Sequence, residues 1–210
     1  MRYALPLAAI AAIIAVPVIA QQSGPPGAPD KARVTAGTYA ADPGHTMVVW
    51  EVDHFGFSKY TGLFGDVTGT LVIDPANPAA SKVEVTIPVA KVTTASAGLT
   101  GHLLRAGKDG GKPDFFGAAP ADAKFVSTSV VLDSDGDEAK VTGNLTLNGV
   151  TKPVTLDVDF HGAGVGMNTK ETIGFQAETT IKRSDFGVNM GIPYVSDAVE
   201  LEIHAAFEKQ

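Results

Sequence analysis

Five histidines, His45, His54, His102, His161 and His204, are the side chains best suited to proton transfer or metal ligation. Their spacing supports neither role: no pair falls at i, i+4 for a helix or i, i+2 for a strand, so no metal and no other cofactor is expected. The absence of cysteine excludes disulfides, thiolate metal sites, a cysteine nucleophile and an acylated-cysteine anchor. No serine sits in a Gly-x-Ser-x-Gly elbow. Gly162-Ala-Gly164-Val-Gly166 lacks the third glycine of a phosphate cradle and reads as a loop. Asp133-Ser-Asp135-Gly-Asp137 begins like a calcium loop, but Asn144 stands where the bidentate glutamate belongs, so a hairpin turn is expected. No catalytic set remains, and an enzyme is not expected.

Two polar positions keep two readings each. His54 shares the parity of Trp50 and Val52, so it either meets a ligand head group in an apolar lumen or is a buried histidine satisfied by a neighbour. Arg183-Ser184-Asp185 is either an ion pair at a strand end or a polar clamp at a lumen mouth.

The elements that would position these residues follow a period of two. Val48, Trp50, Val52, His54 and Gly56 alternate with Glu51 and Asp53, predicting a strand over 48–57 with one buried face. The same alternation runs through 83–87, 141–147, 154–160, 173–181 and 199–207, and strands are also expected over 65–73 and 124–132. About eight strands suit an all-β sandwich or a closed barrel. Residues 97–105 suit a short helix, and 106–113 a Gly-rich loop leading to Phe115-Phe116, a plug for one end of the core. An eight-stranded barrel can hold one small ligand where inward residues are small, as at Gly56, Gly143 and Ala177. From the residues alone, the simpler reading is that they pack a sandwich core.

Composition fits one globular domain with an added segment: 210 residues, 44% hydrophobic, 19% charged. A formal charge of −7 argues against a nucleic-acid partner. Arg2, the apolar stretch Leu5–Ile14 and Val18-Ile19-Ala20 predict a signal peptide over 1–20, hence a periplasmic or secreted protein. Cleavage after Ala20 would leave 15 Lys+Arg against 23 Asp+Glu, a formal charge of −8. Residues 21–30, with Pro25, Pro26 and Pro29, read as a stiff, extended stretch of a Pro/Gly-rich leader over 21–36, which precedes a domain over 37–210.

One ordered set of motifs is more specific. Asp42-Pro-Gly-His45-Thr46, Val48-x-Trp50-x-Val52-x-His54-x-Gly56, Gly62-x-Phe64 and Gly69 open it. His102-Leu103, Phe115-Phe116, Phe125-x-Ser127, Gly143-x-Leu145-Thr146-x-x-Gly149-Val150-Thr151-Lys152-Pro153-Val154, Arg183-Ser184-Asp185-Phe186-Gly187 and Val199-x-Leu201 follow. The set resembles the YceI-like family of bacterial secreted proteins. Thr100, where the family often has an acidic residue, and the apparent insertion over 106–113 depart from it.

The resemblance implies a lipocalin-like, extended antiparallel barrel that binds a long-chain isoprenoid, quinone-like or polyprenyl, without catalysis. Carried onto this chain, its lumen would be lined by Val48, Trp50, Val52, Phe64, Phe125, Leu145 and Phe186, with Phe115 and Phe116 near the opening and His54 toward the head group. Transient membrane or membrane-protein contact and a homodimer stay open. Two rival functions also stand: a partner-binding accessory of a membrane redox or stress-response system, and an enzyme using His54 on an apolar substrate.

Overall fold

A computed structural model describes residues 24–210, so the signal-peptide reading of 1–20 lies outside the described residues. Eleven strands form: β1 (Gly37–Ala41), β2 (Met47–His54), β3 (Ser58–Phe64), β4 (Thr68–Ile73), β5 (Lys82–Ile87), β6 (Val92–Thr94), β7 (Ala123–Leu132), β8 (Glu138–Leu147), β9 (Val150–Val165), β10 (Glu171–Lys182) and β11 (Ala198–Lys209). The one α-helix among the described residues, α1 (Ala97–Leu103), starts at Ser96, whose hydroxyl accepts from Leu99 N. The eight expected segments correspond to β2, β4, β5 and β7 to β11. Additional to them are β1, β3 and β6.

All pairings are antiparallel. Eight strands close a barrel in the order β1-β4-β5-β7-β8-β9-β10-β11, with β11 returning to β1. The barrel is extended because β11 is long enough for two neighbours along one edge. Its C-terminal residues Phe207–Lys209 pair with β1, and Glu200–His204 pair with β2, which carries β3 and β6 outward. Residues 42–46 form the fork between them. Asp42 Oδ1 accepts from Gly44 N at 2.9 Å, turning the chain off the ladder. The buried Thr46 hydroxyl then accepts from Ala206 N and donates to Ala206 O, which also accepts from Asp42 N, so the peptide groups of Ala206 stay paired at the fork.

Two local expectations are corrected. The strand predicted over 48–57 ends at His54, because His54–Phe57 is a turn closed by Phe57 N donating to His54 O. Gly162–Val165 continue β9 rather than forming a loop. There β9 runs past β8, and its open edge is taken by the leader, Ala28 and Ala163 exchanging both backbone hydrogen bonds. The leader itself includes a short 3-10 turn at Lys31–Arg33.

Buried apolar side chains gather in two clusters instead of one continuous core. Tyr39, Ala41, Leu71, Ala163, Ile173 and Phe207 pack at one end, and Val67, Ile87, Val89 and Ala123 beside Phe64 and Phe116. This corrects the packed-sandwich alternative: space remains inside the barrel. The ladder between β4 and β5 is close at Gly69, where φ is +146° and a Cβ would meet Glu84 O and lie 2.6 Å from Val85 Cα. No rotamer relieves a clash with backbone, so Gly69→Ala is expected to cost about 2 kcal/mol, read as a lowered urea midpoint.

Candidate ligand-binding lumen

The interior holds two cavities, an outer chamber of about 440 Å³ and an inner one of about 240 Å³. Val48, Ile87, Leu145 and Leu201 line both, so the chambers adjoin across this four-residue junction. The outer chamber lies within the range of small-molecule sites, roughly 300–1,000 Å³, and the inner one is somewhat smaller. The inner chamber lies within the closed barrel between Phe125, Val141, Phe175, Phe207 and their neighbours. Thr46, Thr179, Ser81 and Lys82 also line it; the threonine hydroxyls donate to Ala206 O and Thr155 O, and the buried Ser81 hydroxyl makes no hydrogen bond.

The outer chamber lies beyond the fork. The alternation of β2 turns Val48, Trp50, Val52 and His54 into it, and β3 adds Tyr60 and Phe64. Trp50 can lie flat against β3 because its cross-strand partner is Gly62: a Cβ there would sit 2.5 Å from Trp50 Cε2. The indole N–H is buried and makes no hydrogen bond. The opposite walls come from α1, from Phe115 and Phe116, and from residues 183–195.

Phe115 and Phe116 are held by a latch. Asp114 Oδ2 lies 2.8 Å from His102 Nε2 and accepts from Arg105 Nη2 at 2.8 Å, while Phe115 packs edge-on against His102 and Phe116 against Phe64. The hydrogen bonds from His102 and Arg105 hold the Asp114 carboxyl below its ordinary pKa. A depressed carboxylate contributes fully above its unfolded pKa and loses its contribution as pH falls through the folded value. Release of a bound fluorescent lipid is therefore expected to speed up by about threefold on acidification below the carboxylate range. In Asp114→Asn, release should be that fast at neutral pH and flat with acidification. Thr100, the departure noted on α1, bonds through its hydroxyl to Thr94 N and Thr94 Oγ1, tying the helix to β6.

Arg183 is 6% exposed and lines the outer chamber. Burial pushes its pKa down. Its guanidinium donates to Ser196 O, Val188 O, Met190 O and Val195 O, at 2.8 to 3.0 Å. Ser184 donates N–H and hydroxyl to Asp197, holding that carboxyl's pKa low. Of the two expectations for this motif, the ion pair with Asp185 does not form among the described residues, whereas Arg183 does line the outer chamber, its guanidinium folding the 188–196 segment around itself.

Nine of the ten residues expected at the site line one or both chambers: Val48, Trp50, Val52, His54, Phe64, Phe115, Phe116, Phe125 and Leu145. Phe186 does not. It is buried outside both linings, its carbonyl accepting from Asn148 Nδ2. His54 stands exposed at the outer end, its ring tilted 58° to that of Phe55, with no carboxylate within 4.0 Å of it among the described residues. No group of metal-ligating side chains occurs among the described residues either.

Comparison with known proteins agrees with this architecture. The YceI-like domain matches residues 39–207. The chain belongs to the YceI-like family. Protein YceI of Escherichia coli O157:H7 is 42% identical over 160 residues, covering 76% of this chain and 79% of its own. The Campylobacter jejuni YceI crystal structure superposes with a TM-score of 0.61 at 33% identity, over 75% of this chain and 90% of its own. A polyisoprenoid binding domain from Saccharophagus degradans, implicated in plant cell wall breakdown, shares the fold: TM-score 0.58, 15% identity, 82% of this chain and 98% of its own. Like these YceI-like barrels, the chain closes an eight-stranded antiparallel barrel.

Proposed function

We propose that this protein binds one long-chain isoprenoid or comparable amphiphile, its tail in the inner chamber and its head in the outer one, without catalysis. The observation that carries this reading is the contrast between two adjoining chambers, the inner one lined mostly by apolar side chains and the outer one carrying aromatic and basic polar groups. His54, Tyr60, His102 and Arg183 line only the outer chamber, and the junction beyond them is wholly aliphatic. Burying a tail gains roughly 0.8 kcal/mol per methylene-sized group, so ten such groups contribute about 8 kcal/mol before ordering costs. Selection is then by tail length, with few polar contacts for the head. The Saccharophagus neighbour, a polyisoprenoid binding domain, supports the ligand class. The apolar stretch Leu5–Ile14 ahead of Val18-Ile19-Ala20 supports a carrier or sequestering role in the periplasm or outside the cell.

Trp50 is the only tryptophan of the chain and stands on the outer-chamber wall. Titration with geranylgeraniol is expected to change its fluorescence saturably at one ligand per chain. Emission that stays constant through the titration would contradict the proposal.

A further inference from the structure

The outer chamber opens beside a cluster of exposed apolar side chains. Phe57 is 90% exposed, Tyr194 66%, Phe55 50% and Met190 44%. These are all the exposed large aromatics among the described residues, with one methionine. Two segments distant in sequence bring them together: His54 and Val195 form a β-bridge, Phe55 N donates to Tyr194 O at 2.7 Å, and the Phe55 and Tyr194 rings stack 5.6 Å apart. Phe55, Met190 and Tyr194 also line the chamber, so its wall continues onto the outer surface without a polar break at these residues.

The backbone bears a cost for this arrangement. Phe55 has φ of +59° and Gly56 φ of +68°, the mirror-image hairpin turn whose first central position favours Asn, Asp or Gly. A bulky side chain there is strained. Nothing in the hairpin's own packing calls for Phe57, which reaches farthest out. Strained or exposed aromatics that persist at the mouth of a cavity point to function at that mouth.

We propose that the rim formed by Phe55, Phe57, Met190 and Tyr194 docks onto the surface of a lipid bilayer. The inference rests on the lipid-binding reading of the lumen. A tail leaving a membrane for the chamber loses least by the shortest path through water, since every exposed methylene is unfavourable. Rim side chains seated at the interface would make that path continuous, and aromatic residues favour the interfacial region. Electrostatics contributes little. Asp53 Oδ1 accepts from Gly56 N inside the turn, and Lys59 Nζ lies 2.8 Å from Glu200 Oε1 and 3.3 Å from Glu51 Oε1. With a formal chain charge of −7, the fit is to a zwitterionic surface by apolar insertion, not to an anionic one by charge.

Phe57 separates docking from cargo binding because it lines neither chamber. Flotation of the purified protein with phosphatidylcholine vesicles is expected to show binding that falls at least about tenfold in Phe57→Asp. The Trp50 response to geranylgeraniol should stay unchanged in that variant, and phosphatidylglycerol in the vesicles should not tighten wild-type binding at low salt. Wild type that fails to float, or Phe57→Asp that floats equally well, would overturn the proposal. So would a dimer in light scattering that Phe57→Asp converts to a monomer, since a second copy would then occupy the rim. Vesicle binding lost in Phe57→Asp, with no Trp50 response in either protein, would keep docking and reject the cargo.

Discussion

Leu145→Trp is expected to weaken binding of an isoprenoid of about forty carbons roughly a thousandfold, while an analogue of about fifteen carbons changes by less than about threefold. Leu145 shares the junction with Val48, Ile87 and Leu201, where the two chambers adjoin. An indole there closes the passage but leaves the mouth, Trp50 and the latch in place. A long tail then loses the inner chamber, about ten methylene-sized groups, of which about 4 kcal/mol survives ordering costs. A short tail never used that space. Competition binding of the two ligands to wild type and variant reads the difference directly. Equal loss for both would mean that the variant distorts the whole lumen, and no loss for either would mean that tails do not thread the junction.

Arg183→Leu is expected to lower stability by about 4 kcal/mol in urea unfolding. Leucine removes four donors together, leaving the carbonyls of Val188, Met190, Val195 and Ser196 without the partner around which their segment folds. Arg183→Lys should rescue little, because an ammonium lacks the planar fork that spreads these bonds over one group. Both variants should also lose the outer-chamber wall formed by Val188, Met190, Tyr194 and Val195. A loss below about 1 kcal/mol would show that the segment is held by its own backbone turns instead.

The strands lining the lumen were legible because half-buried strands alternate. The parity of Val48, Trp50, Val52 and His54 alone places one wall of the outer chamber. The short β1 and β6 carried weak signals, and β3 went unread although Tyr60, Gly62 and Phe64 share a parity that puts Tyr60 on the same face as Phe64. The segment 188–195 was not legible. It has no period, and its shape depends on Arg183, whose charge reads from sequence as a salt-bridge partner. Phe186 follows that motif and was expected in the lumen, yet one turn of 3-10 helix at Arg183–Phe186 directs it elsewhere. The fork depends on Thr46 meeting Ala206, a contact across 160 residues that no local pattern announces. His54, legible as inward, lies at the exposed end because the strand stops there.

The most direct test of the lipid-container reading is mass spectrometry of an organic extract from the purified full-length chain after incubation with membrane lipids. The account predicts one long-chain isoprenoid or similar amphiphile per protein chain, absent from a Trp50→Glu control shown by circular dichroism to be folded. An extract without such a lipid, or the same lipid in equal amount from wild type and control, would contradict it.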